Sequence, residues 1–230
     1  MSSPAVIFDM DGVLVDSYRA HFNAWRRSAA ARGVELTEAM FVGIFGRPNL
    51  ETIPLIAKTP LSQYEVETWS ADKEAFYRET LRDRVPIMDG AITLIEHLHD
   101  AGFLLGIGTS GPRENVEYLL AALPNYSSIS AVISSEDITR GKPFPDVFLA
   151  TAKLMGTDPR MCAVVEDSIA GIDAASRAKM TAIALTGSAP LCQLQAKADL
   201  VVESLKLLSS TQILNLIKTN SCRNSHFGTD

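Results

Sequence analysis

The chain reads as an α/β protein, a doubly wound parallel sheet with a block of helices inserted near its amino end. Three observations carry that reading. From about residue 86 onward, short apolar runs alternate with stretches of helix length, the pattern of parallel strands covered on both faces. One further run, Val6-Ile7-Phe8, stands apart at the amino end, separated from the rest by a long region without β character. Several of the runs also end in groups that carry chemistry, and ligands of open parallel sheets sit beyond the carboxyl ends of the strands.

Taken in order, Val6-Ile7-Phe8 opens the sheet and stops at Asp9-Met10-Asp11-Gly12. Side chains of extended backbone alternate faces, so Asp9 and Asp11 project to the same side, and Gly12 lets the chain turn away. Two carboxylates this near repel unless a cation or a shared proton relieves them, which points to a hard metal ion, acid/base chemistry or both. Between Ser17 and Arg84, Ala20, Phe22, Ala24, Trp25 and Ala29 fall at helical spacing and Gly33 closes that segment. Breaks at Gly46-Arg47-Pro48 and Thr59-Pro60 precede a charged amphipathic stretch over 62–84. Residues 17–85 are therefore expected to form a helical insertion, with 1–16 and 86–218 making the α/β core. Within that core the pattern predicts helices over 89–101, 112–123, 145–155 and 169–179. Strands are predicted over 103–109, 131–134, 161–166, 181–185 and 200–202. The polar stretch 219–230 is expected to be a flexible tail.

Composition narrows the function classes. Of 230 residues, 47% are hydrophobic and 21% charged, as in soluble globular proteins. No apolar run is long enough to span a bilayer. A formal charge of -6 and a pI near 5.3 give no electrostatic reason to expect nucleic-acid binding. The start, Met1-Ser2-Ser3-Pro4, has no basic segment followed by an apolar core, so no secretory leader is expected. Cys162, Cys192 and Cys222 are widely spaced and form no Cys-x-x-Cys pair, which fits a reducing cytoplasm. The sequence is compatible with a monomer.

Four strand ends carry suitable groups. The first offers Asp9 and Asp11. The second ends in Thr109-Ser110-Gly111, a hydroxyl and flexible backbone able to hold phosphate oxygens at a helix start. After the third, Gly141-Lys142-Pro143-Phe144-Pro145 sets one lysine in a proline-stiffened loop, where an ammonium can neutralise a nucleophile and a bound phosphoryl group. The fourth ends in Glu166-Asp167-Ser168, with Ala170-Gly171 opening a helix.

In order, spacing and strand context these motifs resemble those of the haloacid dehalogenase superfamily: Asp-x-Asp-Gly, Thr/Ser, Lys-Pro and Glu-Asp. The resemblance implies a doubly wound core with an inserted helical cap. It implies that Asp9 is a nucleophile forming an aspartyl-phosphate, Asp11 a general acid/base, Thr109 a phosphoryl holder and Lys142 the neutralising cation. Mg²⁺ would be bound by Asp9, Asp167 and the backbone carbonyl of Asp11, with Glu166 positioning or ligating it. Within the superfamily, Ala20-His21-Phe22-Asn23-Ala24-Trp25 resembles the β-phosphoglucomutase-like group, which makes His21 and Trp25 candidate substrate or hinge residues. Those mutases carry Lys before the cap-loop glycine and Arg three residues after it, whereas Phe45 precedes Gly46 here and Asn49 takes the later place. Gly46, Arg47, Asn49 and Ser110 complete the candidate substrate residues. The implied function is Mg²⁺-dependent hydrolysis of a small phosphorylated metabolite, a sugar or polyol phosphate. A phosphohexomutase and a non-catalytic phosphate-binding or regulatory protein are the alternatives.

Overall fold

The structure is a computed structural model in which residues 2–82, 84–124 and 126–225 are described. Six parallel strands form the sheet: β1 (Ala5–Phe8), β2 (Leu104–Gly108), β3 (Ala131–Ile133), β4 (Cys162–Glu166), β5 (Thr181–Leu185) and β6 (Leu200–Val202). Their order is β3-β2-β1-β4-β5-β6. Successive strands build outward from β1 on one side and then on the other, so the topological switch point lies between β1 and β4. Both strands are wholly buried, which accounts for their continuous apolar sequence.

The chain leaves the core after Asp16 and re-enters at Pro86, where the two connections run side by side. Asp16 N–H donates to the Pro86 carbonyl at 2.8 Å and Met88 N–H to that of Leu14 at 2.9 Å. Between them lie α1 (Tyr18–Ala30), α2 (Glu38–Ile44), α3 (Asn49–Ile56) and α4 (Gln63–Leu81). Local chemistry starts two of these helices: Thr37 caps α2 by accepting from Met40 N–H, and Ser62 forms a reciprocal capping box with Glu65 at α4. Phe22, Trp25, Phe41, Ile53 and Trp69 give the four helices an apolar cluster of their own. Ala20, Ala24, Tyr77 and Leu81 instead join the core beneath, tying α1 and α4 to the sheet.

Helices cover both faces of the sheet. On one side lie α5 (Ala91–Asp100), α6 (Arg113–Leu120) and α10 (Ser210–Ser225). On the other lie α7 (Asp146–Met155), α8 (Ile169–Arg177) and α9 (Leu191–Gln195). Along β1, Val6 and Phe8 enter the first layer while Ala5 and Ile7 enter the second. The sequence pattern does not announce α9 or α10. From Thr219, where a flexible tail is expected, α10 continues helical through Ser225; Ile213 and Ile217, both wholly buried, anchor the turns before it, and residues 226–230 lie outside the described residues. No helix among the described residues is long and apolar enough to cross a membrane.

Candidate active site

Backbone register brings the two acidic strand ends together. Phe8 pairs with Val165, so the next residues, Asp9 and Glu166, emerge side by side at the switch point. Lys142, 2% exposed, lies between them and donates to Asp9 Oδ1 at 2.6 Å and Glu166 Oε1 at 2.7 Å. Burial opposes its charge, but Asp9 and Glu166 outweigh that and raise its pKa. The second Glu166 oxygen accepts from Ser168 N–H at 2.6 Å. Two glycines make room for this arrangement. A methyl group on Gly171, in the first turn of α8, would overlap the Glu166 carboxylate, and one on Gly12 would overlap Asp167. Gly12 also has φ +83, a conformation that L side chains rarely adopt. Thr109 is buried beside this cluster and its Oγ1 accepts from Gly111 N–H at 3.0 Å.

Asp9, Glu166 and Asp167 each place a carboxylate oxygen within 4.8 Å of the others, and all three are buried. One ammonium faces three carboxylates, so the cluster is short of positive charge. Burial drives the Asp9 carboxyl upward; Lys142 pulls it back, Glu166 repulsion adds to the rise, and the outcome is about 7. Burial, Glu166 and Asp9 likewise raise Asp167 well above its ordinary value. An all-oxygen donor set with excess negative charge suits a hard divalent cation such as Mg²⁺. The Asp11 carboxylate lies outside this cluster.

Asp11 is held instead by side chains of the insertion. Its Oδ1 accepts from Tyr77 Oη at 2.8 Å and lies 3.0 Å from His21 Nε2. Lys73 Nζ lies 2.9 Å from His21 Nδ1. The ring thus turns Nε2 to Asp11 and Nδ1 to Lys73. The His21 and Tyr77 rings stack at 3.9 Å and 8°. Burial raises the Asp11 carboxyl, yet His21 and Tyr77 together hold it below the usual carboxylate range. Lys73, 2% exposed, is neutralised by Glu74 Oε1 at 2.7 Å.

The other candidates are less uniform. Trp25 lines the pocket and lies under Lys73, whose Nζ is 5.4 Å from its ring centroid. Gly46 brings the α2–α3 loop against Ser168, and exposed Arg47 lines the pocket mouth. Asn49 is committed within the insertion, donating to Ser70 Oγ at 3.0 Å and Glu74 Oε1 at 2.6 Å. Ser110 Oγ is buried without a hydrogen-bond partner. The sequence reading missed Lys73, Glu74 and Tyr77. Their signal was present in the four-residue spacing Trp69, Lys73, Tyr77, Leu81, where a lysine interrupts an apolar stripe. The cavity holds about 60 Å³, well below the several hundred Å³ usual for small-molecule sites.

The fold and this arrangement define a class. A model of the haloacid dehalogenase-like hydrolases matches residues 4–179, and the chain belongs to that family. Hexitol phosphatase A of Escherichia coli is 32% identical over 220 residues, covering 92% of this chain and 96% of the relative. β-Phosphoglucomutase of Bacillus subtilis is 30% identical over 205 residues, covering 86% and 88%. Among solved structures, β-phosphoglucomutase from Clostridium difficile superposes with a TM-score of 0.85 at 25% identity, covering 94% of this chain and 98% of that one.

Proposed function

We propose that the protein is a Mg²⁺-dependent phosphatase that hydrolyses a small phosphate monoester, a sugar or polyol phosphate, through an aspartyl-phosphate on Asp9. The observation that carries this reading is the buried Asp9–Lys142–Glu166–Asp167 cluster at the switch point, with Asp11 two residues away on a separate hydrogen-bond network. Asp9, Asp167 and the Asp11 carbonyl would hold Mg²⁺, with Glu166 in support. Bound Mg²⁺ supplies charge neutralisation for the nucleophile and the phosphoryl oxygens.

The chain's own groups account for the rest. Thr109, Ser110 and the N–H groups of their loop hold the phosphoryl oxygens, and Lys142 offsets their charge. An Asp9 oxygen attacks phosphorus, the ester P–O bond breaks, and the leaving oxygen takes a proton from Asp11. Water then attacks phosphorus as the Asp9–phosphorus bond breaks; Asp11 takes the water's proton and inorganic phosphate departs. The proton gained in the second step is the one given in the first step of the next turnover. His21 and Tyr77 favour ionised Asp11 and so favour the water-activating half. Asp11 can hold the proton it later donates only where those contacts loosen. Both come from the insertion, and the small cavity requires the insertion to lift before substrate enters. Residues 17–85 therefore act as a cap over the core formed by 1–16 and 86–218, so opening and protonation of Asp11 are coupled.

The mutase relatives favour a second reading, a phosphohexomutase. Phe45, and the commitment of Asn49 to Ser70 and Glu74, argue against it. Phosphate release measured across hexose, pentose, polyol and glycolate phosphates, with Mg²⁺ and with EDTA, tests the proposal. Mg²⁺-dependent release from one of the sugar or polyol phosphates is expected. Isomerisation without release, stimulated by a bisphosphate primer, would instead establish the mutase. Failure to hydrolyse even an aryl phosphate would leave a non-catalytic binding protein.

A further inference from the structure

The pocket that begins at Asp9 and Lys142 continues to the insertion, where Asn49, Lys73 and Glu74 line it. Its charge there is set by one carboxylate. Glu74, 6% exposed, receives Lys73 and Asn49 on Oε1 at 2.7 and 2.6 Å, and Asn115 on Oε2 at 2.5 Å. A carboxylate offers about four acceptor positions, so Oε1 is filled and Oε2 keeps one. Lys73, the buried cation of this wall, has its charge cancelled by Glu74 and is further engaged with His21. The Lys73–Glu74 pair has no net charge to offer a second anion.

Glu74 and Ser110 also border a groove of about 550 Å³ between insertion and core. Glu51, Glu67, Glu114 and Glu136 line that groove, and its Arg78 is already paired with Glu114 at 3.1 Å. Arg47 is exposed at the pocket and also lines a second groove with Ser168 and Pro190. The leaving-group wall is thus negative in field, yet it keeps a spare carboxylate acceptor on Glu74. That acceptor suits a hydroxyl group and repels a phosphate dianion.

We propose that Glu74 sets the charge class of the substrate, admitting a neutral, hydroxyl-bearing leaving group and turning away one that carries a second phosphate. This rests on the phosphatase reading above. Asn115, from α6 of the core, is a positioning residue that aims Glu74, and it is itself fixed by Arg78 at 2.9 Å.

The test compares kcat/KM for mannitol 1-phosphate and mannitol 1,6-bisphosphate, a pair that differs only in the second phosphate, with 4-nitrophenyl phosphate as a separate check on the chemistry. The wild type is expected to prefer the monophosphate by about tenfold or more, and Glu74→Gln to shrink that ratio by about tenfold. A purely structural Glu74 would lower both substrates together and leave the ratio intact, which overturns the inference. So does a wild type that hydrolyses both equally well. If Glu74→Gln does not fold, Glu74→Asp, which keeps the charge, must hold the ratio within about threefold of wild type; a folded Glu74→Asp that loses it also overturns the inference. A wild type that leaves 4-nitrophenyl phosphate intact sinks the phosphatase reading, and this inference with it.

Discussion

Asp9 and Glu166 owe their adjacency to the register of two buried strands, whereas His21 and Lys73 meet through a side-chain hydrogen bond between two helices. The sheet side cannot rearrange without breaking the ladder, so it suits groups that must hold one geometry throughout the reaction. The helix side reaches Asp11 through two hydrogen-bonding contacts, and the proposed cap role requires both to part. In the proposed function chemistry falls to the sheet side, and proton timing and substrate choice to the insertion.

The largest expected effect breaks the rigid half at its nucleophile. Asp9→Asn should lower phosphate release by at least about 10³-fold. Its fold should persist, because one of three crowded carboxylates is neutralised. Near-normal steady-state turnover by the folded variant would remove Asp9 from the nucleophile's role.

Metal removal probes the same half by charge. EDTA should abolish turnover, and the thermal stabilisation given by Mg²⁺ should depend on pH. Asp9 is raised from 3.8 to about 7 by burial, partly offset by Lys142 and increased by Glu166. Between those values the folded metal-free protein retains a proton that the unfolded chain has released. Its stability therefore falls as pH rises through that window. Mg²⁺ takes the proton's place, so the rise in Tm on adding Mg²⁺ should be small near about pH 5 and larger near about pH 8. Equal increments at both pH values would contradict the cluster's proposed role.

Gly171→Ala tests how closely the rigid half is packed. The added methyl would overlap the Glu166 carboxylate and displace the Lys142 contact. A loss of about 1–3 kcal/mol in denaturant unfolding is expected, together with reduced turnover. Wild-type stability and activity would show that Glu166 has room to move.

The two halves were unequally legible in the sequence. Asp9, Thr109, Lys142 and Glu166-Asp167 could be read because each follows an apolar run, and strand ends are where parallel sheets present ligand groups. Lys73 and Glu74 sit in a long helix rich in charge, and residues of those types on a helix are usually solvated. Their burial depends on which face of α4 meets α1, a tertiary fact. The end of helix α10 was missed for a related reason: Ile213 and Ile217 supply its anchoring contacts, and the residues beyond them, from Thr219, are polar enough to read as tail. Asn49 lines the pocket, but its partners lie within the insertion, which loop position alone could not reveal.

A smaller effect is expected where the two halves touch. Tyr77→Phe removes one donor from Asp11 Oδ1 while keeping the ring stacked on His21. Ionised Asp11 loses a charge-assisted hydrogen bond, so its pKa should rise. Turnover should change by about tenfold or less, and the limb of the pH–rate profile that requires ionised Asp11 should move to higher pH. A wild-type profile would mean that Tyr77 serves packing alone.

The smallest effect belongs to Arg47. Its guanidinium is exposed at the mouth of the pocket, where water screens it and side-chain freedom opposes any fixed contact. If it guides the anionic substrate inward, Arg47→Ala should raise KM by about two- to fivefold with kcat little changed. Because the attraction acts through solvent, added salt should shrink the difference between variant and wild type. Phosphate release at low and high ionic strength checks both points. Identical KM values at low salt would remove Arg47 from substrate capture and leave recognition to the groups deeper in the insertion wall.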